Sequence, residues 1–284
     1  MTPRVNATID TDEVPWIAGR TRLYGIVGHP IQQVRSPEMF SAEFIRRGRD
    51  AVMIPIHVLP SNFMPAMHAL MLLENLDGLI FTIPYKQAAC ALASTLDPQA
   101  QAVGAINALA RGPDGRWAGG MFDGAGCVAA FQKRGLLFRG RHVTLIGAGG
   151  AGSAIGAAVA AEGPAAMRLF DPDANRAQAM ADTIRRIDPA ITIEIGAPDA
   201  FATDILLNAS PVGMLGDPNT PIPLDRPLPA ALIVFDAIVK PDQTALLLAA
   251  AAHGCTTVRG REMMRGQITR IADFFEATTQ RICP

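Results

Sequence analysis

The sequence predicts an α/β protein of two domains, because short apolar runs alternate with helical segments along most of the chain. A length of 284 residues exceeds what one small domain needs and suits two. The third observation is a glycine-rich turn near the middle of the chain, directly after a buried apolar run. Hydrophobic residues make up 49% of the chain and charged residues 18%, so a sizeable core is available.

The first part of the chain alternates strands and helices. Strands are predicted at residues 23–27, 51–58, 76–82, 105–109 and 117–120. Helices are predicted at residues 36–47, after Ser61 and from Pro84. This alternation predicts a parallel sheet with right-handed crossovers and helices on both faces. We expect residues 1–123 to form an N-terminal, parallel-type α/β substrate domain.

A buried strand at residues 142–146 is followed by Gly147-Ala-Gly-Gly-Ala-Gly152. In this pattern one glycine permits a tight turn, a second lets the backbone approach a pyrophosphate, and a third lets helix and strand pack closely. The helix that follows points unpaired N–H groups at the phosphates. We therefore predict a Rossmann dinucleotide-binding domain over residues 124–255. Its predicted cofactor contacts begin with Gly147, Ala148, Gly149, Gly150 and Ala151.

The second apolar run of this domain ends in Asp171, about 20 residues after the first glycine. A carboxylate at this point is placed to accept hydrogen bonds from the adenosine ribose hydroxyls, and it repels a 2′-phosphate. Alternatively, Asp171 is a loop residue or the cap of a helix over residues 173–186. The order of strand, glycines and acid favours the cofactor interpretation. NAD is therefore predicted as the cofactor in preference to NADP.

The remaining elements complete the second domain. Strands are predicted at residues 191–195, 205–208 and 232–235, and helices at 243–253 and 262–277. We expect the last helix, within residues 256–284, to return to the first domain.

Composition excludes several classes of partner. The net charge of −1 provides no basic field for nucleic acid. Four cysteines, Cys283 among them, lack CxxC spacing, and five histidines lack HExxH spacing, so no metal is predicted. Residues 1–20 lack the layout of a signal peptide, and the longest apolar run is too short for a membrane span. We expect a cytoplasmic protein with a small-molecule partner, and a homodimer is compatible with the sequence.

Lys86 is the most informative ionisable residue, because it follows a predicted strand at the sheet edge where ligands bind. In the first turn of a helix from Pro84, the helix dipole and partial desolvation disfavour its charged form. Such a lysine can act as general acid or base for an alcohol–ketone couple. Asp123 is its candidate partner. Position alone leaves open a solvated lysine and an aspartate that merely caps a helix.

Taken in order, these segments resemble the shikimate/quinate dehydrogenase family. The resemblance covers nearly the whole chain, from about Leu23 to Phe275. It rests on Tyr24-Gly-Ile-Val-Gly-His-Pro30, Ser36-Pro37, Thr82-Ile-Pro-Tyr-Lys86, Val103-Gly-Ala-Ile-Asn107, Asp123-Gly-Ala-Gly126, Gly147-Ala-Gly-Gly-Ala151, Asn208-Ala-Ser-Pro-Val-Gly-Met214 and Gly260-Arg-Glu-Met-Met264 followed by Gln267.

The resemblance implies an oxidoreductase with its active site in the cleft between the domains. Lys86 and Asp123 match the catalytic pair, with Lys86 taking the proton of a ring hydroxyl as hydride passes reversibly to nicotinamide. The implied substrate is a shikimate- or quinate-like cyclic hydroxy acid, as in aromatic amino acid biosynthesis or quinate/shikimate metabolism. The implied substrate contacts are Ser36, Thr82, Asn107 and Gln267. The implied nicotinamide-side contacts are Asn208, Ser210, Val212, Met214 and Gly260.

Five positions carry apolar residues where the family has hydrogen-bonding ones: Val34, Ile80, Met121, Phe122 and Val239. A polyhydroxylated acid loses partners there, at about 1–3 kcal/mol for each unpaired polar group. Arg35 is a candidate to hold a carboxylate in compensation, or is simply solvated. The segment Asp171-Pro-Asp173 replaces the Asn-Arg-Thr of NADP-preferring relatives, which again favours NAD.

Two interpretations follow from these departures. The first is an NAD-dependent dehydrogenase of the shikimate/quinate type with an altered or narrower substrate range. The second is an NAD-binding regulatory or vestigial member of the family with little turnover. The lost polar positions motivate the second, and the retained Lys86 and Asp123 count against it. A folate dehydrogenase is disfavoured by the Asp123 and Gln267 motifs.

Overall fold

The computed structural model describes residues 17–279 as two six-stranded sheets flanked by helices. Residues 1–16 and Cys283 lie outside the described residues. Within 17–279, no helix is both long and apolar enough to cross a membrane.

The first sheet has the strand order β2-β1-β3-β5-β6-β4. Its strands are β1 (Arg22–Gly28), β2 (Ala51–His57), β3 (Leu76–Phe81), β4 (Thr95–Leu96), β5 (Ala108–Arg111) and β6 (Trp117–Gly120). Strand β1 pairs parallel with β2 and β3, whereas β5 pairs antiparallel with β3 and β6. The sheet is therefore mixed: the parallel-type α/β fold is confirmed, and the antiparallel pairing of β5 was not predicted. The reason is local, since the tight turn from Gly112 to Gly115 joins β5 and β6 as a hairpin, which only antiparallel strands allow.

Four helices belong to this part of the chain: α1 (Ser36–Arg46), α2 (Phe63–Leu70), α3 (Pro98–Val103) and α4 (Asp123–Gln132). The helix predicted from Pro84 was wrong, because a turn and a short 3-10 helix, Ala88–Leu92, occupy this segment. The carbonyl of Lys86 accepts the N–H of Ile106 at 2.8 Å. A contact between distant segments thus replaces the first turn of the expected helix.

The second sheet is parallel throughout, with the order β12-β11-β10-β7-β8-β9. Its strands are β7 (His142–Ile146), β8 (Ala166–Phe170), β9 (Thr192–Ile195), β10 (Ile205–Asn208), β11 (Ile233–Asp236) and β12 (Thr256–Arg259). Its helices are α5 (Gly150–Ala161), α6 (Ala174–Ile187) and α7 (Ala245–Ala252). Strand β12 was not predicted, and it pairs with β11. The predicted boundary at residue 255 therefore cuts this sheet and needs correction, whereas the boundary at 123 stays a prediction.

The last helix, α8 (Gly260–Thr279), packs against the first sheet. The ring of Phe275 lies 4.9 Å from that of Tyr24 and 6.4 Å from that of Phe40. A Cβ atom at Gly78 would lie 2.7 Å from the Phe275 ring, so the absence of a side chain there makes this packing possible. Arg47 pairs with Glu276 at 2.8 Å and fixes the same helix against α1.

The two halves of the molecule meet at helices α4 and α5. A Cβ atom at Gly124 would lie 2.2 Å from the carbonyl oxygen of Ala154, so the helix backbones are in direct contact. The residues that follow β1, β3, β10 and β11 then line one cleft between the sheets.

Candidate active site

The cleft has a volume of about 180 Å³ and lies at the carboxyl ends of strands from both sheets. Ligands bind at this edge in open α/β sheets. Most of the predicted site residues line it: Ser36, Thr82, Lys86, Asn107, Asp123, Ala151, Ser210, Met214, Gly260 and Gln267.

Lys86 and Asp123 form an ion pair in this cleft, with Lys86 Nζ donating to Asp123 Oδ2. Their side chains are only 15% and 4% exposed, so the pair is shielded from water. Asp123 Oδ1 accepts hydrogen bonds from Asn107 Nδ2 at 2.9 Å and from Gln267 Nε2 at 3.0 Å. Asp123 begins α4, yet its carboxylate meets side chains from three other segments. Asp123 therefore does not cap α4, and its catalytic role stays a prediction.

Two further contacts fix the polar groups around Asp123. Asn107 Oδ1 accepts the backbone N–H of Phe122 at 3.0 Å, which leaves its amide nitrogen to face Asp123. Gln267 reaches the carboxylate because α4 and α8 are close at Gly126. A Cβ atom there would lie 2.4 Å from Gln267 Cγ. The small residues after Asp123 thus have a packing role in addition to their place in the helix.

Lys86 is positioned differently from the prediction. Because no α-helix begins at Pro84, the expected helix dipole is absent at this lysine. Its aliphatic stem instead contacts the start of α5, where a Cβ atom at Gly150 would lie 3.0 Å from Lys86 Cβ. The lysine therefore lies between Asp123 and the glycine-rich turn.

The glycine-rich turn has the shape that a pyrophosphate requires. Gly147 has φ +94°, and a Cβ atom there would lie 2.8 Å from the backbone of Ala209. A Cβ atom at Gly152 would lie 1.9 Å from the carbonyl oxygen of Gly147, which explains the close packing of helix on turn. Gly149 caps α5 without a side chain and faces open space. The helix N-terminus is thus accessible, and the residues fit a dinucleotide.

Asp171 lies beside this turn. Its Oδ2 accepts the N–H of Ala148 at 2.7 Å, and its Oδ1 accepts the N–H of Asp173 at 2.9 Å. The cap of α6 is Asp173, which accepts the N–H of Asn175 at 3.0 Å. The helix-cap alternative therefore applies to Asp173 and not to Asp171. Arg176 pairs with Asp173 at 3.5 Å on the helix surface.

Asn208 and Val212 do not line the cleft. Asn208 is fully buried, and its Oδ1 accepts both the N–H (3.0 Å) and the hydroxyl (2.7 Å) of Ser210. Val212 donates its N–H to the Ser210 hydroxyl at 3.3 Å. Both residues therefore shape the loop from which Ser210 and Met214 face the cleft.

Asp236, which sequence reasoning missed, anchors this loop to its neighbour. Its Oδ1 accepts Asn208 Nδ2 at 3.1 Å and the N–H of Ile238 at 3.0 Å, and its Oδ2 accepts the Thr244 hydroxyl at 2.7 Å. Burial raises the pKa of Asp236 to about 6, against the lowering effect of these hydrogen bonds. An aspartate at the end of an apolar strand was the available sequence signal.

Three further positions, Arg35, Met121 and Phe122, also lie outside the cleft lining. Arg35 is exposed and pairs with Glu38 outside the cleft, and its role as a substrate contact stays a prediction. Met121 is buried in the core, and the Phe122 ring packs 5.3 Å from that of Phe274. Neither side chain lines the cleft, and their effect on substrate binding stays a prediction. Val34, Ile80 and Val239 do line the cleft.

Several residues of the cleft wall were not predicted: Gln33, Ile238, Lys240, Met263 and Met264. Gln33 is the most informative, since its side chain is buried and polar. Its position in the loop directly after a predicted strand was a usable signal, because this is the ligand-binding edge of the sheet.

Fold and site together define a two-domain α/β oxidoreductase. Residues 26–109 match the family model described as "Shikimate dehydrogenase substrate binding domain". A curated relative from Symbiobacterium thermophilum, named shikimate dehydrogenase (NADP(+)), is 33% identical over 255 residues, covering 87% of this chain and 86% of the relative. The chain therefore belongs to the shikimate dehydrogenase family, and the assignment made from the sequence is confirmed.

Solved structures show the same architecture. Shikimate 5-dehydrogenase from Listeria monocytogenes, in complex with shikimate and NAD, has a TM-score of 0.79 and 28% identity, covering 93% of this chain and 94% of its own. Quinate dehydrogenase from Corynebacterium glutamicum, in complex with NAD, has a TM-score of 0.78 and 29% identity, covering 90% and 94%. These likenesses confirm the α/β fold and support a dinucleotide cofactor.

Proposed function

We propose that this protein is an NAD-dependent dehydrogenase that transfers hydride reversibly between a ring hydroxyl of a shikimate- or quinate-like compound and nicotinamide. The observation that carries the proposal is the shielded Lys86–Asp123 pair, which lies in a cleft whose other wall begins at the glycine-rich turn. Two solved relatives of this fold hold NAD, and one of them also holds shikimate.

The acid–base work falls to Lys86. When bound, the nicotinamide supplies the hydride acceptor or donor. In the oxidation direction the Lys86 amine takes the hydroxyl proton, and in the reduction direction the ammonium returns it. Asp123 orients Lys86 through their ion pair, while Asn107 and Gln267 hold the carboxylate in place. The hydroxyl groups of Ser36 and Thr82, which also line the cleft, orient the substrate ring.

The cofactor contacts divide along the cleft. Gly147, Gly149, Gly150 and Ala151 would hold the pyrophosphate at the start of α5. Ser210, Met214 and Gly260 form the wall on the nicotinamide side. Asp171, at 2.7 Å from the Ala148 nitrogen, would accept a hydrogen bond from the ribose and disfavour a 2′-phosphate.

The preference for NAD needs direct comparison, because the curated relatives carry NADP(+) in their names. The test is a nicotinamide absorbance screen of shikimate, quinate and less hydroxylated ring alcohols with both cofactors. We expect turnover with NAD at higher kcat/KM than with NADP. Tight NAD binding without turnover of any ring alcohol would favour the vestigial interpretation instead.

A further inference from the structure

The loop after β1 places an unsatisfied acceptor at the cleft. Gln33 lines the cleft and is 9% exposed. Its Nε2 donates to the carbonyl of Pro30 at 2.7 Å, while its Oε1 is buried without a hydrogen-bond partner among the described residues. Only the amide nitrogen can donate to a carbonyl, so the orientation of the amide is fixed and the free atom is an acceptor.

A buried acceptor is unfavourable unless a ligand supplies a donor. A hydroxyl supplies one. A carboxylate has only acceptor atoms when ionised, and it would bring negative charge towards the Gln33 oxygen. The loop therefore discriminates between these two groups by the direction of the hydrogen bond.

Part of the cleft wall is apolar. Val34, Ile80 and Val239 line the cleft, and Val34 and Met264 pack against the core cluster that contains Ile80. Burying a carboxylate against such side chains costs its hydration without compensation. The Ser36 and Thr82 hydroxyls do not distinguish the two groups, since a hydroxyl can donate or accept.

Among the described residues, no cation offers a carboxylate a partner beside these apolar side chains. Lys86 is paired with Asp123, and Arg35 is paired with Glu38 outside the cleft. Lys240 is exposed at the rim. Among the lysines of the described cleft wall, Lys240 is the one without a carboxylate partner, so it could attract a substrate carboxylate from solvent.

We infer that the cleft selects an uncharged ring alcohol, with one hydroxyl donating to Gln33 Oε1 and no carboxylate against Val34, Ile80 and Val239. The inference rests on the proposed dehydrogenase function and names the substrate class of that same site.

The first test compares shikimate with its methyl ester, which keeps every ring hydroxyl and removes the charge. We expect the ester to have at least about tenfold higher kcat/KM with NAD. The same pair is compared by thermal shift of the NAD-saturated protein, which needs no turnover. A preference for the acid in both measurements overturns the inference and leaves the dehydrogenase function intact. If neither compound is turned over, the proposed dehydrogenase function is refuted, and the thermal shifts alone test the inference about the substrate class. That inference is overturned if neither compound binds.

The second test uses Gln33→Met with methyl shikimate and its single-deoxy analogues. The wild type should discriminate by about tenfold or more against the analogue that lacks the hydroxyl facing Gln33, because the buried acceptor is then unpaired. Gln33→Met should lose this discrimination while ranking the other analogues as before. If Gln33→Met lowers kcat/KM equally for all analogues, Gln33 only holds the loop through its hydrogen bond to the Pro30 carbonyl, and the inference is overturned. The inference is also overturned if the wild type prefers shikimate to its methyl ester and Lys240→Ala abolishes this preference.

Discussion

Gly150 contacts the aliphatic stem of Lys86 so closely that a Cβ atom at position 150 would lie 3.0 Å from Lys86 Cβ. The residue belongs to the first turn of α5, the helix that we propose binds the pyrophosphate. Gly150 of the proposed cofactor site is thus in van der Waals contact with Lys86 of the proposed acid–base site.

This contact predicts the effect of Gly150→Ala. The added methyl group displaces the Lys86 stem by a few tenths of an ångström, and we expect kcat to fall by about tenfold to a hundredfold. The helix itself should not be weakened, because alanine is favoured over glycine by about 0.5–1 kcal/mol in a helix. Steady-state kinetics and thermal unfolding of the same preparations check both parts. An unchanged kcat would show that the contact does not matter for Lys86.

Gly149→Ala is the matched comparison. A Cβ atom at Gly149 meets nothing within 4 Å, and the backbone φ of −71° suits alanine. This variant should leave Lys86 in place and raise the KM for NAD by crowding the pyrophosphate. The two neighbouring substitutions should therefore separate turnover from cofactor binding.

Lys86→Ala should abolish turnover and leave the NAD dissociation constant nearly unchanged. A general acid–base group contributes about 10²–10⁴-fold. The Lys86 amine is bound to the Asp123 carboxylate, and only the aliphatic stem of Lys86 touches Gly150. The measurement is kcat together with an NAD titration. Lys133→Ala, an exposed lysine at the end of α4, is the control and should behave as wild type. Comparable turnover in the Lys86 variant would remove this residue from the mechanism.

Asp171→Ala should weaken NAD binding and narrow the advantage of NAD over NADP. The substitution also removes the acceptor for the Ala148 N–H, so it perturbs the turn itself. Asp171→Asn keeps a side-chain oxygen for that N–H and removes the charge, while the N–H of Asp173 loses its acceptor. We expect Asp171→Asn to reduce the preference for NAD while preserving the fold of the turn, as judged by thermal unfolding. An unchanged cofactor preference in both variants would refute the ribose contact.

The raised pKa of Asp236 predicts that the stability of the protein depends on pH. Because its pKa is raised from 3.8 to about 6, the folded protein holds a proton that the unfolded chain has released between these values. The free energy of unfolding should therefore fall as pH rises through this window and level off above it. With about 1.4 kcal/mol per pKa unit, the contribution is at most about 3 kcal/mol. Denaturant unfolding at pH 4.5 and 7.5 measures it.

Asp236→Asn is the control for this effect. An asparagine can accept the bonds from Asn208 and Ile238 and donate to Thr244, so the network is retained without a titrating group. The variant should gain stability relative to wild type as pH rises from 4.5 to 7.5. A constant difference between the two proteins would assign the pH dependence elsewhere.

Local pattern was sufficient for much of the fold and of the site. The apolar run before Gly147 and the glycine spacing predicted β7 and the turn into α5, because those features arise from neighbouring residues. Strand β12 escaped prediction, since it has four residues and only Val258 is fully buried. The helix expected at Pro84 failed because the N–H of Ile106 takes the Lys86 carbonyl, a contact that no local window contains.

The same distinction separates the site residues. Lys86 and Asp123 were found because the family resemblance pairs them, although their chemistry alone was ambiguous. Arg35 pairs with Glu38 at helical spacing, which competes with any role in the cleft, so its substrate contact stays a prediction. The significance of Gln33 depends on the direction in which its amide points. That direction is set by the Pro30 carbonyl in the folded loop, and the sequence does not contain it.

The return of α8 to the first sheet constrains the order of events during synthesis. Tyr24 and Phe40 emerge from the ribosome well before Phe275, the residue whose ring packs on both of theirs. The first sheet therefore cannot complete its core until α8 has been synthesised. Until then its aromatic surface is available to chaperones and to other nascent chains.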